Sequence, residues 1–478
     1  MKKSIIYLVL VILFFRFDAL QAQKWSLEAC IDTALVNNIQ VNQEILINRQ
    51  NMIGLEQARA QRIPALNANA SQSFNFGRSV DPYTNQYNNQ NFASNSFSFT
   101  SNYTLFNGFQ NQNSIRQNEV NIRAGEKDIE AIKKNITLNV TLAYVQVLFA
   151  REQLENAQNK VISTKAQTER TEKLVKSGML PEGNLLQLQS QLATDQYSQV
   201  NAENQVWLAR VNLMQIMEIP VRTDFDIIRP EIPDTLDMTL LANGPEWVYQ
   251  QALLTQPQIE SASLNVKSAE LGLKIAKGAL FPRISLNASL SSGYSNARNL
   301  FDVTYETSAE QVGYLASDPT EIVLNDRTRM ITTAKPYAFT SQVWDNLSQA
   351  VRLSLSIPIL NNKQISSNIK RSAISIENAR LSEKNIKNQL RKEVEQAYSD
   401  LAVASKNYVA AKKQLRSAKR SFQDTEKKYS LGLLNATDYL IEKNNFANAR
   451  ATLTRNKYDF LFRQKIVEFY LGKQIVLN

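Results

Sequence analysis

The chain is written twice. Ala143-Tyr144 recurs as Ala397-Tyr398, an offset of 397 − 143 = 254 residues. The same offset aligns Gly178 with Gly432, Leu180 with Leu434, and Leu105-Phe106-Asn107 with Ile359-Leu360-Asn361. Earlier in each copy the offset is 218: Ala34-Leu35 matches Ala252-Leu253, and Arg62-Ile63-Pro64 matches Leu280-Phe281-Pro282. The difference, 254 − 218 = 36, is an insertion in the second copy between roughly Tyr294 and Leu347. Duplication constrains the fold more than any local motif, because both copies must follow one order of elements. That order reads helix, strand, loop, strand, very long helix, turn, long helix. Repeat one is assigned to 23–218 and repeat two to 246–472, with a longer strand–strand loop at about 295–346. The intervening 219–245 carries Pro220, Pro230, Pro233 and Gly244 and reads as a linker, and 473–478 form a tail.

The long helices are marked by a heptad seam. In the second copy apolar or small residues fall at Leu390, Val394, Ala397, Leu401, Ala404, Tyr408, Ala411, Leu415, Ala418, Phe422, Thr425 and Tyr429. Steps of four and three alternate throughout, the pattern that packs helices side by side as coiled coils. The first copy runs Val140, Ala143, Val147, Ala150, Leu154, Ala157, Val161. A helix from about Gly108 to Lys176 measures ~100 Å at 1.5 Å per residue. Nothing that long folds inside a compact globule.

Four segments alternate with period two instead. Leu66, Ala68, Ala70, Phe74 and Phe76 face away from Asn67, Asn69, Ser71, Ser73 and Asn75, with Gln72 the one break on the apolar side. Phe97, Phe99, Tyr103 and Leu105 alternate with Ser98, Thr100, Asn102 and Thr104, Ser101 being the break. Ile284, Leu286, Ala288 and Leu290 alternate with Arg283, Ser285, Asn287 and Ser289; Val351, Leu353, Leu355, Ile357 and Ile359 alternate with Arg352, Ser354, Ser356 and Pro358. Each covers about ten residues, near the length of a tilted strand that crosses a bilayer. A half-buried antiparallel sheet alternates in the same way. The near-absence of apolar residues on the polar side favours a barrel with lipid outside and water inside. Four strands cannot close a barrel, since small barrels use about eight or more. Strands of this kind therefore imply several chains sharing one barrel.

Composition narrows the function. No histidine and a single cysteine exclude a Ser-His-Asp triad, a Cys-His pair, histidine metal sites and any internal disulfide. No catalytic, cofactor-binding or metal residues are assigned, and no enzyme is expected. Residues 1–22 read as a secretory signal peptide, with Lys2 and Lys3, an apolar run from Ile5 to Phe15, and Ala22 before the cleavage point. Cys30 lies well beyond that run and reads as a small buried residue of the first helix rather than a lipid-bearing one.

The duplicated unit, the helix-Pro-strand junctions at Pro64 and Pro282, the Leu105-Phe106-Asn107-Gly108 passage and the glycine turns between long helices resemble the outer-membrane efflux protein family, the TolC-like exit ducts. The resemblance implies a mainly α fold with membrane β, a coiled-coil helical barrel plus four strands per chain in a shared 12-stranded transmembrane barrel. It implies a homotrimer in the outer membrane whose helical part lies in the periplasm. The expected partners are a periplasmic adaptor, an inner-membrane pump and outer-membrane lipid. The turns Gly178-Met179-Leu180 and Gly432-Leu433-Leu434 would then offer apolar tips to the adaptor, although each glycine also suits an ordinary helix end. Thr437 or Asp438 would equally serve as a cap of the returning helix. Asp438 matches the first of the family's entrance aspartates, whereas the second is replaced by Ile441; Asn184 holds the place of Asp438 in copy one. Tyr429 matches the gate tyrosine, and the gate arginine is replaced by Leu434. Tyr429 also falls on the heptad seam, so packing and gating are both open to it.

The formal charge is +10, and 16 Lys/Arg against 7 Asp/Glu lie between Lys363 and Lys428. No aromatic–basic interleaving accompanies that stripe, so a solvated or tunnel-facing helix is expected and nucleic acid is not. Efflux of small molecules is the leading expectation. A duct for type I protein secretion is the alternative, followed by a non-conducting coiled-coil surface protein.

Overall fold

The computed structural model describes residues 24–80, 85, 87–89, 91–230, 239–431 and 433–473, so the expected signal peptide and Gly432 lie outside the described residues. Copy one contains α1 (Leu27–Asn37), α2 (Ile39–Ala60), β1 (Ala65–Asn75), the two-residue strands β2 (Ser79–Val80) and β3 (Tyr87–Asn88), β4 (Phe92–Asn107), α3 (Gln110–Lys176) and α4 (Glu182–Ile216). Copy two contains α5 (Gly244–Thr255), α6 (Pro257–Gly278), β5 (Arg283–Ser295), β6 (Asn299–Leu315), β7 (Asp318–Pro336), α7 (Phe339–Asp345), β8 (Ser348–Ser356), α8 (Gln364–Ser430) and α9 (Ala436–Tyr470). Adding 254 to the bounds of α3 and α4 gives the bounds of α8 and α9, and adding 218 to those of α2 gives those of α6. The left-handed residues repeat as well. Gly108 and Phe109 correspond to Asn362 and Lys363, and Glu218 to Gly472, all with positive φ. No helix among the described residues is long and apolar enough to cross a membrane.

The chain divides into two compact units. One comprises Met1–Ile53, Asn118–Ala269 and Ile374–Asn478. Its core is the heptad seam: Val140, Ala143, Val147 and Ala150 in α3, and Leu390 through Ala411 in α8, are buried. The matched Ala-Tyr pairs gain a physical meaning here. Each small alanine lets neighbouring helices approach, and each tyrosine hydroxyl donates to a carbonyl of the chain between the copies. Tyr144 reaches Ile228 O at 2.6 Å, and Tyr398 reaches Leu241 O at 2.8 Å. The linker is pinned further by Asp226, which accepts from Arg151 and from Arg210 at 2.8 Å, and by a parallel bridge between Trp25 and Ile227. Cys30 is fully buried in α1, and burial pushes its thiol up to about 12.

The other unit comprises Gly54–Gln117 and Glu270–Ala373. Its four-stranded antiparallel sheet has the order β1-β4-β5-β8, the four segments expected from period-two alternation. The register keeps the faces separate. Ala68, Phe99 and Leu290 form one row on the apolar face, and Tyr103, Leu286 and Leu353 another. Asn69, Ser98, Ser291 and Ser348 form a row on the polar face. A bulge between Thr104 and Phe106 brings Phe106 opposite Ile284. Leu66, Phe74, Phe99, Val351, Leu353 and Leu355 are all exposed, so the described residues supply no cover for most of the apolar face. Only at one end does α7 lie against it, with Phe339 packed on Phe97 and Tyr294 at centroid distances of 6.2 and 5.1 Å. The expected loop at about 295–346 is instead a long hairpin, β6–β7, followed by α7. Its alternating residues bond to one another across the two strands, which a reading limited to repeated segments could not detect.

Pro64 and Pro282 each immediately precede a strand, where a missing N–H costs nothing. Gly108 sits at φ +66°, and a Cβ there would lie 2.1 Å from Gly278 O. Gly108→Ala is expected to destabilise this unit by at least about 2 kcal/mol, since a left-handed residue and a backbone clash add together. Thermal melts of the detergent-solubilised protein read this as a lower midpoint, whereas Gly77→Ala, at φ +84° but with no neighbour within 4 Å, shows a smaller drop.

Candidate functional site

The turns joining the long helices carry the residues singled out by the sequence. In copy one, α3 ends at Lys176 and Gly178 adopts φ +72°, the left-handed helix end that a glycine takes without a Cβ penalty. Met179 N donates to Leu174 O at 2.9 Å to close the end. Met179 then projects with 67% of its surface exposed, and Leu180 is half-buried. In copy two, Leu433 N closes onto Lys428 O at 3.0 Å; Leu433 is 71% exposed and Leu434 is half-buried. Leu431, which sequence reasoning did not select, is as open as Leu433 at 72%.

The cap of α9 is Asn435, not Thr437 or Asp438. The Asn435 side chain accepts from Asp438 N at 2.8 Å. Asn435 has the extended backbone of a cap, while Thr437 and Asp438 already lie inside the helix. Asp438 is exposed in the first turn, where the helix dipole favours a carboxylate. Asn184 occupies the equivalent turn of α4 and is half-buried. Thr437 Oγ1 lies 3.2 Å from Gln187 Oε1, joining the copy-two turn to α4. Tyr429 stacks on Tyr439 at a centroid distance of 4.6 Å and packs with Phe422, Leu188 and Leu440. Its hydroxyl is buried without a hydrogen-bond partner.

Above the turns the core changes character. The copy-one seam continues past Val161 at Thr164, Thr168 and Thr171, still stepping three, four and three, and all three are buried. Asp195 of α4, with a fully buried side chain, accepts from Thr164 Oγ1 at 2.6 Å, Lys160 Nζ at 3.0 Å and Gln191 Nε2 at 2.8 Å. Lys443 of α9 is 5% exposed and donates to Thr164 Oγ1 at 3.0 Å. In copy two the places of Thr164 and Asp195 are Ala418 and Ala449, so this polar knot is specific to copy one. Burial lowers Lys443 to about 8, with Lys160 adding to the effect and Asp195 and Glu426 opposing it.

The folded chain thus binds fewer protons than the unfolded chain between pH about 8 and the usual lysine value of 10.5. Stability therefore rises with pH through that window, and the penalty is complete below it. Lys443→Met is expected to abolish that rise and to stabilise the fold at neutral pH by on the order of 1 kcal/mol, because it removes a buried cation whose nearest carboxylate is already paired. Melts across a pH series check both.

Comparison with known proteins adds the family. A family model described as outer membrane efflux protein matches residues 30–217 and 339–473. The pyoverdine export outer membrane protein OpmQ of Pseudomonas putida is 26% identical over 175 residues, 35% of this chain and 35% of OpmQ. OpmQ of Pseudomonas aeruginosa is 27% identical over 173 residues, 35% of this chain and 34% of its own. The aligned stretch thus spans about a third of these relatives' length. The outer membrane protein VceC of Vibrio cholerae superposes with a TM-score of 0.72 at 14% identity, covering 94% of this chain and 96% of VceC. The outer membrane channel CmeC of Campylobacter jejuni gives 0.68 at 17%, covering 93% and 85%. These likenesses establish the fold, long helices plus a β domain in a two-repeat chain. With the family model matching more than half of its residues, the chain belongs to the outer membrane efflux protein family and resides in the outer membrane.

Proposed function

We propose that three copies of this chain form an exit duct that passes small molecules from a periplasmic adaptor and inner-membrane pump to the exterior. The carrying observation is the four-stranded sheet. Its edges, β1 and β8, have no further strand partner among the described residues, and its apolar face is largely uncovered. In lipid such edges leave backbone groups unpaired, so closure by further copies is required. Three copies give twelve strands, enough for a barrel with a polar lumen. A second surface supports association: Leu186, Tyr197, Val200 and Leu208 of α4 share one helical face and are exposed. In this reading 23–218 and 246–472 are the two repeat units of each chain.

The turns Gly178-Met179-Leu180 and Gly432-Leu433-Leu434, with Leu431, are the adaptor-docking tips, since exposed apolar tips without a partner are costly patches. Asp438 and Asn184 line the entrance, and Tyr429, stacked on Tyr439, is a gate residue held by that packing. Small-molecule efflux is preferred to protein secretion because the two OpmQ relatives are described as pyoverdine exporters. Heat-resistant trimer bands, conductance in planar bilayers and cargo accumulation in a deletion strain test the proposal; a monomer that does not conduct would sink it.

Two outcomes follow. Met179→Asp combined with Leu433→Asp is expected to abolish efflux while leaving trimer bands and conductance intact, which a cargo-accumulation assay separates. Lys412, Lys413, Lys419, Arg420 and Lys427 are all exposed on α8. Replacing them with glutamine is expected to shift single-channel selectivity toward cations, as the local positive field is removed.

A further inference from the structure

The 36-residue insertion of copy two builds the β6–β7 hairpin, where copy one has, among the described residues, the two-residue strands β2 and β3. It leaves the sheet where Ser295 pairs with Ser94, the end opposite to the Arg283–Asn107 pair at the helix junction. Strands β6 and β7 form a sheet of two, so each has one edge without a strand partner among the described residues. Long exposed edges are templates for another chain.

The two edges differ in charge. Strand β6 carries Asp302, Glu306 and Glu310 and no base. Strand β7 is mixed: its stretch 327–336 carries Arg327, Arg329 and Lys335 and no acid, whereas 318–326 carries Asp318, Glu321 and Asp326. Within the hairpin Glu306 stands opposite Arg329, Lys335 binds Asp302, and Arg327 binds Glu310 at 2.9 Å. The other face carries Phe301, Val303 and Tyr305 beside Met330, all exposed. A cyclic assembly brings unlike edges of neighbouring copies together. A ring of hairpins also alternates strand direction, so the contact between copies is antiparallel, like the contact within each hairpin. At the same register it again sets Glu306 against Arg329, now of the next copy.

We propose that the hairpin is a self-association surface: β6 of each copy pairs along β7 of the next, and three hairpins close a collar over the barrel mouth farthest from the helix junctions. The apolar row turns inward and the charged face outward. The proposal rests on the trimeric duct and adds a constriction at its exit, built from an acidic edge that recognises a basic stretch.

Two full-length versions with different tags are co-expressed, one carrying Thr307→Cys and the other Thr328→Cys, and treated in membranes with a short bismaleimide. Both positions are neutral, exposed and opposite each other in the hairpin, and the native Cys30 is buried. A cross-linked band bearing both tags is expected. In a second experiment the Thr307→Cys version also carries Asp302→Lys, Glu306→Lys, Glu310→Lys, Arg327→Glu, Arg329→Glu and Lys335→Glu. Each hairpin keeps its internal pairs, but like charges now face each other between versions, and the mixed band is expected to vanish. Trimers without a mixed band in the first experiment overturn the collar and leave the duct standing. A mixed band that survives the charge exchange overturns charge-directed pairing. Absence of trimers overturns the duct and the collar together.

Discussion

A strand edge in lipid has no water to satisfy its N–H and C=O groups, and each group left unpaired costs several kcal/mol. That constraint governs this chain. Its sheet is a four-stranded meander with β1 and β8 at the edges, polar on one face and apolar on the other. Among the described residues no core covers most of the apolar face, and no strand covers the edges. In the proposed duct the sheet is one part of a barrel that further copies complete. There the apolar rows meet lipid and the rows of Asn, Ser and Thr line water. The duplication supplies two strands per copy, which is why neither repeat suffices alone.

The helical unit solves a different problem. Long helices need a continuous seam, and alternation of large and small residues along α3 and α8 supplies one. Tyr144 and Tyr398 then fasten the seam to the chain between the copies, each through one hydroxyl–carbonyl bond. Farther along α3 the seam turns polar, at Thr164, Thr168 and Thr171, and Asp195 and Lys443 enter the core. Buried polar groups contribute less to stability than apolar packing and more to register. The hydroxyls of Thr171 and Tyr429 stay buried without partners near the turns. The core closest to the turns thus holds more unpaired polar atoms than the core around Tyr144.

Much of this was legible in residue order because it depends on periodicity. The seam from Leu390 to Ala411 is buried as its spacing demands, and the four alternating segments are the four strands. The polar seam was missed although its spacing continues unbroken, since Thr164, Thr168 and Thr171 do not stand out by hydropathy. The β6–β7 hairpin was missed because it occurs in one copy only and the duplication gave it no counterpart. The cap at Asn435 was displaced by two or three residues, an ordinary error where several capping types stand together.

The sequence by itself determined the repeat, the element order and the two faces of each strand. Those features follow from local periods of two and three and a half residues. Only the tertiary structure decided which distant groups meet: Lys443 with Thr164, Tyr398 with Leu241, Gly108 with Gly278. Such contacts join residues well over a hundred positions apart, and no local period carries that information. The physical reason is that packing selects partners by shape and by desolvation, which residue order does not encode at short range.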